Sequence, residues 1–257
     1  MDLDLRVGIA SNYKSASQIV RVVSEDWAAR NLYCPACDSY RLNKSPTNTR
    51  VFDLLCPKCK QVFQLKSSRY WNQNKIVDAA YTSMISAIRR DEVPNLVVMQ
   101  YTNLWRVWNV LLVPYFFFTE TVIQQRKPLS PNARRAGWVG CNILLSEIPP
   151  DGKLQLVEGG MVSGADQIRK QFSQIRIFSE LRPDVRGWTL DVLRIVRRIN
   201  KAEFTLSEVY SFEAELAQAH PGNRNVRPKI RQQLQKLRDL KFLEFVQSGR
   251  YRLLMAR

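Results

Sequence analysis

A mixed α/β domain followed by a small module of three helices and a β-hairpin is the fold class this sequence predicts. Three observations predict it. Over the first 180 residues, apolar side chains recur at helical spacing in some segments and form short strand-like runs in others. Around Ser179 to Gly187 the pattern lapses into a polar stretch with Pro183 and Gly187, which reads as a linker. Beyond it the periodicity is that of three helices and two short strands. A chain of 257 residues with 45% hydrophobic content has ample material for such cores, and the expected division is 1–180 and 181–257.

Each element has its own signal. Ser15-Ala16-Ser17-Gln18 resembles a capping box, and Ile19, Val22, Val23 and Trp27 then recur at helical spacing, predicting a helix to about Arg30. Arg50 to Leu55 and Gln61 to Ser67 read as two strands joined by a tight turn. From about Lys75 to Asp91 the spacing of Ile76, Ala80, Met84 and Ile88 predicts an amphipathic helix. Asn95 to Tyr101 and Arg106 to Val113 read as buried strands, and a loop with Pro128 and Pro131 precedes strands near Val139 to Leu145 and Leu154 to Val157. Together these give a mixed sheet flanked by helices.

In the second module, Thr189 to Ile199 is a helix, and the capping box Thr205-Leu206-Ser207-Glu208 opens another, to about Ala219. A third runs from about Arg227 to Leu240 with Ile230, Leu234, Leu237 and Leu240 facing inward. Strands Phe242 to Val246 and Tyr251 to Leu254 are joined by Gln247-Ser248-Gly249-Arg250. Three helices and a terminal hairpin in this order make a winged helix-turn-helix.

The net charge is +16, spread through both halves, so polyanions are the natural partner and nucleic acid is favoured over an anionic membrane. No apolar run reaches the roughly eighteen residues that a membrane-spanning helix needs. The start of the chain, with Asp2 and Asp4 and no apolar h-region, does not read as a secretory signal, and residence in the cytosol is expected. His220 is the only histidine, which nearly excludes Ser-His-Asp and Cys-His catalysis. Any chemistry must use carboxylates, lysines and metal.

Two metal signals overlap between Cys34 and Lys66. Cys34, Cys37, Cys56 and Cys59 read as C-x2-C-x18-C-x2-C, in which two tight turns present four thiolates to one structural Zn²⁺. Cys141, the fifth, reads as a small core residue. If the second knuckle forms the turn of a hairpin, Asp53 falls roughly opposite Phe63 and Gln64, and the strand period places Gln64 and Lys66 on one face. Metal-dependent phosphodiester hydrolysis needs such a set. Asp53 would fix Mg²⁺, the Gln64 amide oxygen and the Leu65 carbonyl would complete its shell, and Lys66 would sit near the attacking water or the developing charge. Glu25 on the first helix could contribute. The pattern D-x10-QxK is short, and on its own a solvated strand with ordinary charges accounts for it equally well.

The order helix, aspartate strand, QxK strand resembles the PD-(D/E)XK nuclease superfamily. More narrowly, the chain resembles the DpnI-like methyl-directed restriction endonucleases along nearly its whole length. The resemblance is carried by Glu25-Asp26-Trp27, both cysteine pairs, Asp53, Lys66, Gln125 to Leu129, Ala133-Arg134-Arg135-Ala136-Gly137-Trp138, Gly140-Cys141-Asn142, Arg186-Gly187-Trp188-Thr189 and Ile230-Arg231-Gln232-Gln233-Leu234. It implies a PD-(D/E)XK nuclease core with a zinc-ribbon insertion and a C-terminal winged helix. Both domains would bind double-stranded DNA carrying N6-methyladenine in GATC, and Mg²⁺-dependent double-strand cleavage would follow. One position departs from the family: most members have glutamate where this chain has Gln64. The alternative is therefore a metal-impaired reader that binds methylated DNA without cutting it.

An N6-methyl group is a small apolar projection into the major groove, and a reader of it needs an apolar surface beside donors for neighbouring phosphates. Trp138, with Leu129 and Ala133, fits that need amid Arg126, Lys127, Arg134 and Arg135. Core packing is the other role for a tryptophan. The resemblance implies that Trp138 lines the methyl pocket. In the third helix of the second module Arg227, Lys229, Arg231, Gln232, Gln235, Lys236 and Arg238 lie off the apolar stripe, where they can read bases or hold phosphates. Arg250 at the hairpin tip suits a backbone contact, and Trp188 reads as packing. Neither a membrane nor a nucleotide cofactor is implied, and a monomer is expected in solution.

Overall fold

A computed structural model describes residues 1–46 and 52–254. In chain order the elements are α1 (Ala16–Asn31), β1 (Asn43–Lys44), β2 (Leu54–Leu55), β3 (Val62–Ser68), β4 (Lys75–Ala80), α2 (Tyr81–Arg89), β5 (Asn95–Tyr101), β6 (Val107–Val113), β7 (Ile123–Gln125) and β8 (Gly140–Leu144). Then follow β9 (Leu154–Glu158), β10 (Met161–Val162), α3 (Ala165–Ile175), α4 (Pro183–Ile199), β11 (Glu203–Thr205), α5 (Leu206–Tyr210), α6 (Glu213–Ala219), α7 (Val226–Asp239), β12 (Leu243–Gln247) and β13 (Arg250–Leu253). They form two compact units. One comprises residues 1–72, 93–115 and 153–175, and the other 73–92, 116–152 and 176–257.

The first unit is a seven-stranded mixed sheet in the order β1-β2-β3-β5-β6-β9-β10. Only β3 and β5 run parallel, and every other neighbouring pair is antiparallel. Leu96 to Met99 and Val110 to Val113 are buried, as continuous apolar runs in central strands require. Helix α1 buries Val23, Trp27 and Ala28, and the Trp27 indole N–H donates to the Asp2 carbonyl at 2.7 Å. That bond satisfies the one polar atom of a fully buried ring. The α1 residues Ser17, Arg21 and Glu25 recur every four residues and share a different face.

The second unit joins a three-stranded antiparallel sheet, β4-β8-β7, and helix α2 to the C-terminal module. In that module β11-β13-β12 form a small sheet beside α4, α5, α6 and α7, the winged helix-turn-helix expected. Leu190, Leu193 and Val196 of α4, Leu216 of α6 and Ile230, Leu234 and Leu237 of α7 fill its core. The Thr205–Glu208 capping box is reciprocal: Glu208 N–H donates to Thr205 Oγ1 at 3.2 Å, and Thr205 N–H to Glu208 Oε2 at 2.7 Å. Cys141 is fully buried in β8 and Trp188 is buried against His220, both packing as expected.

Several expectations are corrected. The segment read as one helix from 75 to 91 begins as strand β4, pairing Ile76 with Ile143 and Val77 with Asn142, and only Tyr81–Arg89 is helical. Positions 76 and 80 share a face in a strand as well as in a helix, and pairing with β8 decides between them. The expected linker is instead the start of α4: Pro183 occupies the first helical turn, and Gly187 lies inside the helix. Arg186 there is 1% exposed because Asp91 receives its guanidinium through two bonds. An apparently polar stretch is thus buried through an ion pair. Ser15 makes no side-chain cap to α1, its hydroxyl lying 2.9 Å from that of Ser17. The helix expected from Leu206 to Ala219 is broken after Tyr210. Of the strand read from Arg50 to Leu55 only Leu54 and Leu55 are paired, and Arg50 and Val51 lie outside the described residues.

Candidate active site and DNA-reading surfaces

The two halves of the metal signal meet in one hairpin of the first unit. Leu54 pairs with Phe63 and Leu55 with Val62, so the next position along sets Asp53 beside Gln64. Asp53 N–H donates to the Phe63 carbonyl at 2.9 Å. Its carboxylate Oδ2 accepts the Leu65 N–H at 2.7 Å. Beyond the short β2, the aspartate side chain itself therefore takes up an amide of the β3 edge, which fixes its rotamer. Gln64 and Lys66 follow at the strand period, half-buried, with Leu96 and Val98 of β5 as their register partners.

Asp53, Gln64, Leu65 and Lys66 line a cleft of about 840 Å³ whose opposite wall includes Ser17, Arg21 and Glu25 of α1. Burial pushes the Glu25 carboxyl above the usual carboxylate range and the Asp53 charge adds to the rise, against the pull of Arg21 and Lys44. Two carboxylates that feel each other's charge in one partly enclosed cleft are a donor set suited to a hard divalent cation. A glutamine oxygen beside them extends that set. Lys66 adds a positive charge on the same face.

Cys56 and Cys59 lie in the hairpin's turn, and Cys34 and Cys37 meet them from a second turn. Cys34 and Cys59 Sγ are 3.5 Å apart, Cys37 and Cys56 Sγ 3.6 Å, and all four lie within 4.8 Å of one another. Tetrahedral Zn²⁺ with Zn–S bonds of about 2.3 Å sets S···S distances near 3.8 Å, a spacing that four sulfurs within 4.8 Å of one another fit closely. Cys34 N–H donates to Ser39 O at 3.1 Å and Cys56 N–H to Gln61 O at 2.8 Å, forming the two knuckles. Burial acts to raise the Cys56 thiol, yet the Cys59 and Lys58 amide N–H groups outweigh it and bring the thiol down to about 7. Burial drives Cys34 upward.

One structural residue of this site was not legible in the sequence. Arg169 of α3 donates to the carbonyls of Cys37 and Ser39, both at 3.1 Å, and lies over the Tyr33 ring at 5.2 Å. It sits more than a hundred residues from its partners, and no spacing could have revealed it.

In the second unit, β7 and β8 are bridged by the loop carrying the expected methyl pocket. Arg126 N–H donates to Gly140 O at 3.0 Å and Leu129 N–H to Trp138 O at 2.9 Å, extending the ladder into the loop and placing Leu129 across from Trp138. The Trp138 ring lies against Gly140, where a Cβ would come within 2.8 Å of Cη2, so only glycine admits the ring there. The Arg135 guanidinium stands 4.8 Å over the indole. Ala133 sits half-buried in the same loop, its N–H on Ser130 O at 3.0 Å. Arg126, Lys127, Arg134 and Arg135 are exposed around it. Trp138 itself is only half-buried, unlike a core tryptophan.

On α7, Arg231, Gln232 and Gln235 are exposed and Lys229 half-buried, opposite the buried stripe. Arg227 is engaged with Glu213 at 2.7 Å, and Arg238 with Asp239 at 3.0 Å. Arg250 is exposed at the hairpin tip, after Gly249 at a φ of 69°. No helix among the described residues is long and apolar enough to cross a membrane.

Residues 1–181 match the DpnI profile, described as the Dam-replacing family, and residues 184–253 match its companion, the Dam-replacing HTH domain. The hairpin carrying Asp53, Gln64 and Lys66, the four-cysteine cluster and the winged helix fall inside those matches, and the chain belongs to the Dam-replacing family, whose models imply methyl-directed DNA recognition and a nuclease.

Proposed function

We propose that this protein is a type II restriction endonuclease that cleaves double-stranded DNA at adenine-methylated sites of the GATC type by Mg²⁺-dependent phosphodiester hydrolysis. In this reading, residues 1–180 cut, residues 181–257 supply a second DNA contact, and the protein acts in the cytosol as a monomer without a nucleotide cofactor. The observation that supports it best is the convergence of Asp53, Gln64 and Lys66 with Glu25 on one cleft. Asp53, the Gln64 amide oxygen and the Leu65 carbonyl would hold Mg²⁺, with Glu25 on the facing helix contributing to its shell. The ion supplies Lewis-acid stabilisation of charge on the scissile phosphate. Lys66 orients the attacking water and neutralises charge as one P–O bond forms and another breaks. Leu129, Ala133 and Trp138 receive the methyl group. Arg126, Arg134 and Arg135 hold phosphates beside it, and Lys229, Arg231, Gln232, Gln235 and Arg250 engage DNA from the winged helix.

Matched plasmids, one adenine-methylated and one not, test the reading in Mg²⁺: the methylated plasmid is linearised and the other survives. Survival of both, with preferential binding to the methylated one, would establish the second reading, a reader without nuclease activity. Gln64 is the observation that favours that alternative, because an amide oxygen binds a divalent cation less strongly than a carboxylate. Gln64→Glu is accordingly expected to lower the Mg²⁺ concentration for half-maximal cleavage several-fold, measured by initial rate against metal concentration. An unchanged metal dependence would remove Gln64 from the metal shell.

Trp138→Ala is expected to lower the ratio of methylated to unmethylated affinity by about tenfold, the effect of roughly 1–2 kcal/mol of apolar contact. Non-specific affinity should change little. Equal losses on both duplexes would show that the ring only packs the loop.

A further inference from the structure

The candidate catalytic cleft has a wall that hydrolysis itself does not require. Tyr101 ends β5 and Trp105 precedes β6, and their rings stack 5.2 Å apart at 11°. The Arg69 guanidinium lies 5.9 Å from one ring centroid and 5.5 Å from the other. All three residues line the same cleft as Asp53 and Lys66. The turn between the strands is closed by Trp105 N–H on Thr102 O at 3.0 Å and Thr102 N–H on Arg106 O at 2.8 Å. Leu104 stands within that turn, 89% exposed, and Tyr70 on the cleft wall is equally exposed.

The turn is under local strain. Trp105 has a φ of 57°, a conformation that glycine adopts freely and a bulky aromatic rarely does. Holding a tryptophan there fixes its ring on Tyr101 and leaves Leu104, the residue before it, exposed at the turn that adjoins the cleft-lining Tyr101 and Trp105. A single exposed leucine is ordinary on a protein surface. A leucine beside a strained, aromatic-buttressed residue, next to an arginine and a carboxylate cleft, has a narrower set of uses. In a chain of net charge +16 the fitting occupant is a duplex, whose phosphates meet Arg69 and whose base steps meet the leucine.

We propose that the turn from Thr102 to Arg106 is a DNA wedge. Leu104 inserts between adjacent base pairs of the duplex lying in the cleft, the Tyr101–Trp105 stack buttresses it, and Arg69 holds the flanking phosphate. Insertion unstacks one step and bends the helix, opening the backbone beside Asp53. The wedge rests on the nuclease reading for its orientation but not for its detection, because unstacking precedes and does not need cleavage.

The test uses the full-length protein and a methylated duplex carrying 2-aminopurine scanned through the site and its flanks, with Ca²⁺ in place of Mg²⁺. Binding of the wild-type protein is expected to raise fluorescence several-fold at one or two adjacent positions. Leu104→Ser, at an exposed position that leaves the fold intact, abolishes the rise and weakens binding several-fold while leaving the preference for methylated DNA unchanged. Leu104→Met restores the signal. No rise at any scanned position, or a rise that survives Leu104→Ser, overturns the wedge. Cleavage of the same duplex in Mg²⁺ separates the two readings. A wild-type protein that cuts without any rise sinks the wedge alone, and one that shows a Leu104-dependent rise without cutting supports the wedge and sinks the proposed catalysis.

Discussion

Asp53→Asn is expected to lower the single-turnover cleavage rate by about a thousandfold or more while leaving affinity for the methylated duplex within a few-fold of the wild type. A thousandfold corresponds to ~4 kcal/mol, which is within what a catalytic divalent cation contributes to charge stabilisation. The substitution is chosen for its shape. An asparagine carbonyl oxygen can still accept the Leu65 N–H that Asp53 Oδ2 accepts at 2.7 Å. The hairpin edge therefore stays satisfied, and only the charge is lost. Unaltered thermal stability with lost cleavage assigns Asp53 to the chemistry. Retained cleavage would place the metal elsewhere in the cleft, and equal losses of stability and cleavage would make Asp53 a strut of the hairpin.

Removal of zinc is expected to be as damaging by a different route. A structural zinc site of four thiolates contributes an apparent ~10–16 kcal/mol of binding free energy, as much as the whole net stability of a typical domain. Cys56 and Cys59 sit in the turn that joins Asp53 to Gln64 and Lys66, so their geometry is inherited by the cleft. Cys37→Ser with Cys59→Ser should yield protein that lacks zinc by elemental analysis, melts at a lower temperature and does not cleave at any Mg²⁺ concentration. A zinc-free protein that still cuts would show the knuckle and the cleft to be independent. Arg169 gives an intermediate case: Arg169→Ala unties the carbonyls of Cys34, Cys37 and Ser39 in the first knuckle without touching a thiolate. Slower zinc uptake with normal stoichiometry is its expected mark.

What could be read in the sequence follows the range of the physics. The cysteine spacing, the opposition of Asp53 and Gln64 and the α7 stripe are local, set by turn geometry and by periods of two and 3.6 residues. They reappear as expected in the structure. Reading failed where a distant partner decided the outcome. Residues 75–80 are a strand because β8 pairs with them. Residues 183–187 are helix because Asp91 neutralises Arg186 in the interior. The Tyr101–Trp105 stack and the Arg169 tether likewise depend on contacts that no local pattern encodes. Gly140 sits between these cases: its neighbour Trp138 was visible, but the ring lying against its backbone was not.

The first unit is assembled from three separate stretches of chain, 1–72, 93–115 and 153–175. During synthesis the cysteines and the residues from Asp53 to Lys66 leave the ribosome early, while β5, β6 and β9 are still unmade. Domains fold as units once their sequence is available, and here availability waits for Leu154–Glu158 to close the sheet against β6. A nascent or prematurely terminated chain thus carries the candidate cutting residues without the sheet that supports them. On the proposed reading, synthesis therefore separates the making of the candidate cutting residues from the assembly of the sheet that holds them in place.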